Sequence, residues 1–164
     1  MKVKVKKTHH EAVLPFKTYN EDFCYDVVAT TCEQVAPNVY KYGIGLAFEI
    51  DNANYHPQYA MWINWGRKGH FKHQDFQLSI DLRPRSSVWK TGMVLSNCIG
   101  TIDQLYRGEV SAVFYHIFPE MPKYQIGDKI GQIKLGLTLP IEFMETEELT
   151  ATERGAKGYG STGK

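Results

Sequence analysis

The feature that most limits the fold of this chain is its apolar rhythm, which is short and strand-like almost throughout. Runs rich in Val, Ile, Tyr and Phe occupy residues 25–31, 39–50, 76–82, 110–118 and 130–137. Turn formers such as Ala36-Pro37-Asn38 and Gln125-Ile126-Gly127-Asp128 separate them. β-branched and aromatic side chains pack well on a pleated surface, and Gly, Pro, Asn and Asp supply the backbone angles that turns need. Near the start, Val3 and Val5 alternate with lysines, the pattern of a half-exposed edge strand shielded by charge. No stretch of a dozen residues carries an apolar stripe at helical spacing. The pattern predicts an all-β protein, a β-sandwich or jelly roll.

At 164 residues the chain suits one domain large enough to bury a real core. A formal net charge of +1 argues against polynucleotide binding, which normally shows as a strong basic excess. It leaves room for a small anion, which needs only a few placed cations. Cys24, Cys32 and Cys98 are odd in number and follow no metal-ligand spacing, so a reducing compartment is expected rather than a disulfide framework. The basic start leads into Thr8-His9-His10-Glu11 rather than an apolar stretch, and no run approaches the ~20 apolar residues of a membrane span. The expectation is a cytoplasmic protein.

Two regions stand apart from the strand pattern. Residues 52–73 are polar and aromatic, and read as a long loop or an extra hairpin. From Thr152 to Lys164 the chain is rich in Gly, with almost nothing apolar, and cannot bury enough surface to order alone. The domain reading is therefore a β domain over 1–150 and a mobile, glycine-rich arm over 151–164.

Five segments carry residue types suited to an anionic ligand. Asp26, in Tyr25-Asp26-Val27, opens an apolar run, where a carboxylate is either an edge residue or a group facing a cation. Pro84-Arg85-Ser86-Ser87 ends a strand with a guanidinium and two hydroxyls. Gly100-Thr101-Ile102-Asp103, with Tyr106-Arg107-Gly108 after it and Asn97 before it, can set a carboxylate and a ring at a cleft mouth. Gly127-Asp128-Lys129-Ile130-Gly131-Gln132 is a turn entering a strand. The arm, Arg154-Gly155-x-x-Gly158-Tyr159-Gly160-Ser161-Thr162-Gly163, offers free backbone N–H groups, phosphate donors and one flat ring. Each segment alone is equally a surface turn or a flexible end. His70 and His73 lack a third ligand at a motif spacing and make a poor zinc site.

Taken in this order, the five segments resemble the trimeric dUTPase family. The first matches only in Tyr25-Asp26-Val27, because Phe23-Cys24 stand where the family usually has Ala-Gly. Leu105 replaces a frequent second acid, Trp89 is an unusual filler, and Tyr159 stands where Phe is commoner. The resemblance implies a distorted jelly-roll homotrimer with a flexible arm, whose active sites are each built from more than one subunit. It implies hydrolysis of dUTP to dUMP and pyrophosphate. Asp103 is then the catalytic base for a water attacking the α-phosphorus, and Tyr106 lies beneath the deoxyribose. Asn97 with backbone groups of Gly100 and Ile102 pairs with uracil. Arg85, Ser86, Ser87 and Gln132 hold phosphates, joined by Arg154, Gly160, Ser161 and Thr162, and Tyr159 stacks on the base. Asp26 holds waters of a Mg2+ ion that the triphosphate itself binds.

Two other readings stay open on sequence. A dCTP deaminase shares the fold, but where that family places a proton-shuttling Glu this chain has Val113. A non-catalytic regulatory protein on the same scaffold is the other, to which residues 52–73 would lend a partner surface.

Overall fold

The computed structural model describes residues 2–51, 77–138 and 141–157. Among them the chain is β-structure apart from one short 3-10 helix, Ser86–Thr91. β1 (Lys2–Lys7) pairs with β5 (Leu46–Asp51) as a two-stranded ribbon. One four-stranded sheet runs in the order β2 (Tyr25–Val28), β10 (Lys129–Thr138), β6 (Gln77–Arg83), β8 (Gly100–Ile102). The other runs β3 (Thr31–Ala36), β4 (Val39–Gly43), β9 (Ser111–His116), β7 (Met93–Leu95). All pairings are antiparallel and most neighbours are distant in sequence, the mark of a jelly-roll sandwich.

The alternation seen in sequence explains the layers. On β6, Leu78, Ile80 and Leu82 are buried, while Ser79, Asp81 and Arg83 alternate with them on the opposite face. Val27, Ile130 and Ile133 join them from β2 and β10, and Tyr42, Met93, Leu95, Ala112 and Phe114 come from the second sheet. Burying each of the larger aliphatic and Phe side chains removes it from water and stabilises the fold by about 1.5–3 kcal/mol. Val3 and Val5 pack against this core, whereas Lys2, Lys4 and Lys6 stay exposed, as expected of a charged edge.

The structure corrects two strand boundaries and adds one strand. The 39–50 run is two strands in two sheets, because Gly45 takes a left-handed φ of 67° between them. A Cβ there would sit 2.8 Å from His9 Cβ and 2.9 Å from Ala12 Cβ, so this crossing point accepts only glycine. The 25–31 run stops as a strand at Val28. β3 was invisible in the sequence because every one of its residues is exposed and no apolar alternation marks it.

One irregularity places the site. Between Lys129 and Gly131 the β10–β2 register shifts by a bulge. The extra residue lets Ile130 stay fully buried while Gln132, two positions on, faces the opposite side of the sheet beside Asp26. In an unbroken strand, residues 130 and 132 would share a face.

Candidate active site

Three of the five segments converge on a single carboxylate. Asp26 Oδ1 accepts hydrogen bonds from Arg85 Nε at 3.2 Å and Gln132 Nε2 at 3.1 Å, and Oδ2 lies 3.0 Å from Lys129 Nζ. Asp26 is only 4% exposed. Removing a carboxylate from water costs several kcal/mol unless it is paired, and here every contact comes from a cation or an amide. Burial works against the charge, but Lys129, Gln132 and Arg85 outweigh it and hold Asp26 below the usual carboxylate range. Of the two sequence alternatives for Asp26, both are true: it lies on an edge strand and it faces cations.

Phe16 exchanges backbone hydrogen bonds with Asp26, at 2.7 and 3.2 Å. Residues 18–24 thereby form one wall of a cavity of about 460 Å³, whose other wall is Asp26, Arg85 and Gln132. Arg85 spends only Nε on Asp26, and its two terminal nitrogens have no hydrogen bond among the described residues. A guanidinium oriented this way presents a free fork, the geometry that suits phosphate oxygens. Ser86 and Ser87 open the 3-10 helix that follows at once. Lys129 was not singled out by sequence reasoning. It also reaches Thr18 Oγ1 at 3.4 Å and lies 4.8 Å from the centre of the Phe16 ring. Its signal was a carboxylate inside an apolar run, which demands a neutralising partner from somewhere.

Asp103 lies elsewhere. It follows β8, opposite the start of β6, in an exposed turn closed by a hydrogen bond from Tyr106 N–H to its carbonyl at 3.0 Å. Its carboxylate has no hydrogen bond or ion pair among the described residues. Leu82 faces Gly100 and Ile80 faces Ile102, so Asp103 lies level with Ser79, six residues before Arg85. At ~3.3 Å per residue that is roughly 20 Å along the strand. Asp26, Arg85 and Gln132 are therefore brought together, and Asp103 with Tyr106 is held apart from them within one chain.

The remaining predicted residues fall around this frame. Asn97 is exposed, and a Cβ at Gly100 would meet its Nδ2 at 3.4 Å, an ordinary contact. Ile102 packs its side chain on the core, leaving only backbone groups for a ligand. Arg154 is exposed and donates from Nε to the Lys157 carbonyl at 3.1 Å. Tyr159, Gly160, Ser161 and Thr162, and the 52–73 segment, lie outside the described residues.

A jelly-roll sandwich with a carboxylate-oriented guanidinium lining a cavity on one sheet face defines the class: an all-β protein of the jelly-roll type. Comparisons carry this further. The dUTPase family model matches residues 70–163, which takes in the last four segments but not Asp26. Deoxyuridine 5'-triphosphate nucleotidohydrolase from Nautilia profundicola is 32% identical over 166 residues, spanning the whole of both chains. Its counterpart from Clostridium novyi is 32% identical over 168 residues, 99% of each. Among solved structures, a Staphylococcus bacteriophage 80alpha dUTPase with dUpNHpp superposes with a TM-score of 0.71 at 19% identity, covering 99% of this chain and 98% of that one. The dUTPase of phage phi11 of S. aureus, in which a structural Mg(II) ion is coordinated, gives 0.63 at 16% identity, covering 92% and 100%. The chain belongs to the dUTPase family.

Proposed function

We propose that this protein hydrolyses dUTP to dUMP and pyrophosphate, as a dUTP diphosphatase. The observation that carries the reading is the meeting of Arg85, Lys129 and Gln132 on Asp26 beside one cavity, in a chain of the dUTPase family. Arg85 and Lys129 pair with Asp26, and among the described residues the terminal nitrogens of Arg85 stay free for phosphate oxygens. Arg85, Gln132 and the Ser86 and Ser87 hydroxyls hold phosphate oxygens, with Arg154, Gly160, Ser161 and Thr162 closing over them and Tyr159 stacking on the base. Asn97 and the backbone at Gly100 and Ile102 take uracil. Asp103 accepts the proton of the attacking water, a role worth ~10²–10⁴ in rate. The protein supplies position and charge rather than covalent chemistry.

Magnesium fits this site in one way. Asp26 already accepts three donors out of about four lone-pair positions, so it has room for one water of a hydrated ion and not for the ion itself. No group of three His, Cys, Asp or Glu side chains able to hold a metal occurs among the described residues. When bound through the triphosphate, Mg2+ neutralises phosphate charge.

The working form is a homotrimer. Asp103 and Arg85 are too far apart in one chain to serve one nucleotide, so each site takes them from different copies. After β10 the chain also carries Ile141, Phe143, Met144 and Leu149 outward, with Phe143 89% exposed. An apolar groove of about 360 Å³, lined by Val3, Val5, Leu14, Phe48 and Ile133 among others, can receive such residues from a neighbour. The free cysteines accord with a cytoplasmic setting.

Pyrophosphate release measured across dUTP, UTP, dTTP and dCTP tests the reading. Turnover confined to dUTP is the expected result; ammonia from dCTP, or binding without turnover, contradicts it. Val113, which lies on β9 opposite Lys41, has no proton to give. Removing residues 153–164 is expected to lower kcat at least about tenfold while the trimer persists on size exclusion, because closure of an arm completes the site.

A further inference from the structure

The turn that bears Asp103 is exposed, yet it is held, and what holds it is polar. Tyr106 is 48% exposed. Its Oη donates to the Glu109 carbonyl at 3.0 Å, and its ring lies directly over Gly108. A Cβ on Gly108 would collide with Tyr106 Oη and Cζ, and would stand 3.0 Å from Cε2. Glu109 is anchored in turn by its own carboxylate. Oε1 accepts from Gly45 N–H at 3.1 Å, at the left-handed crossing between β4 and β5, and Oε2 accepts from Thr8 Oγ1 at 2.9 Å, just past β1. One face of the ring is thus fixed to the scaffold and the other is open.

We infer that Gly108 and Glu109 are positioning residues that set the discrimination against a ribose 2'-hydroxyl, by fixing the height and tilt of the Tyr106 ring. The inference rests on the proposed function, in which that ring lies beneath the deoxyribose. Refusal by shape needs a wall that does not yield, because a ring free to tilt makes room for one more oxygen. Gly108 lets the ring lie low. The Glu109 carbonyl pins its tip. Val110 N–H, donating to the Leu46 carbonyl at 2.9 Å, holds the far side of that peptide, and the Thr8 and Gly45 contacts hold the Glu109 side chain. The same turn contains Asp103, so the platform under the sugar and the base beside the α-phosphorus share one support. Charge-assisted hydrogen bonds such as the two to Glu109 are the stronger kind, which suits them to hold an exposed turn that has little apolar packing.

The test compares kcat/KM for dUTP and UTP, by pyrophosphate release, in the wild type, Gly108→Ala, Glu109→Ala, Glu109→Gln and Thr8→Val. In Gly108→Ala and Glu109→Ala the dUTP-to-UTP ratio is expected to fall about tenfold or more, the scale at which a displaced contact surface loses selectivity. Glu109→Gln, whose amide can accept from Gly45 and donate to Thr8, restores most of the ratio. Thr8→Val, outside the site altogether, gives a smaller fall in the same direction. A merely structural role would slow both substrates alike, so an unchanged ratio in Glu109→Ala and Gly108→Ala overturns the inference. Should either variant fail to fold, Thr8→Val decides, and an unchanged ratio in that folded variant overturns it too. A wild type inactive on dUTP is a different failure, since it removes the proposed function underneath.

Discussion

Two carboxylates on this protein have opposite surroundings. Asp26 is buried, accepts three donors and pairs with two cations. Asp103 is exposed in a turn, and its side chain has no partner among the described residues. The first is spent in advance: the hydrogen bond it accepts from Nε orients Arg85. The second is free, as the proposed function needs of a base that is to accept a proton from a water arriving with the nucleotide. A carboxylate saturated with donors is a poor base, and an unanchored one is a poor scaffold, so the two suit different roles in the proposed function.

The contrast breaks most visibly at the base. Asp103→Asn is expected to lower kcat by ~10²–10⁴ with the dUTP affinity kept, and to shift the unfolding free energy by less than about 0.5 kcal/mol, as for other exposed positions. Unchanged turnover would end the assignment. Next is separation in space. Asp103→Asn and Arg85→Ala chains, each nearly inactive alone, are expected to regain activity when refolded together. If a site takes Asp103 from one copy and Arg85 from another, random mixing leaves about a quarter of sites intact. No recovery in mixed assemblies would place both residues in one chain's site, against the register of β6 and β8. At the buried carboxylate the expected loss is of stability first. Asp26→Ala leaves Arg85 and Lys129 facing each other without their counter-charge, which costs about 1–3 kcal/mol once their partial exposure is allowed for. A lowered denaturant midpoint at unchanged slope is the signature.

How much of this was legible in sequence depended on whether a residue's role is local. The alternation of Leu78, Ile80 and Leu82 with polar neighbours gave β6 and its two faces without help. The Gly100-to-Asp103 and Gly127-to-Gln132 segments were found because turns and strand entries are written in consecutive residues. β3 escaped, since exposed residues leave no apolar trace, and the break at Gly45 escaped because its cause is His9 and Ala12, more than thirty residues away. Lys129 stood in plain view within a recognised segment. Its pairing with Asp26 depends on a bulge, and no single sequence shows where a register will shift. That three segments meet while Asp103 stays apart was likewise beyond the sequence, because it follows from which strands lie side by side.

The smallest expected effect is also the one that isolates the charge of Asp26 from its shape. Burial pushes its affinity for a proton up, yet Lys129, Gln132 and Arg85 outweigh burial and bring it below its ordinary value near 3.8. A carboxyl group with a lower value folded than unfolded binds fewer protons when folded. Its contribution is therefore complete above the unfolded value and fades as pH falls through the folded one. The wild type and Asp26→Asn should differ in stability by a constant amount near neutrality, and the two curves should approach each other only in the acid range below about 3.8. Asparagine keeps the size and one acceptor oxygen but loses the other, so the pH-independent part of the difference includes a lost hydrogen bond and the pH-dependent part reports the charge. Curves that stay parallel to the lowest pH at which both fold would mean that Asp26 contributes by packing and hydrogen bonding alone. The guanidinium of Arg85 would then be oriented by geometry rather than by counter-charge.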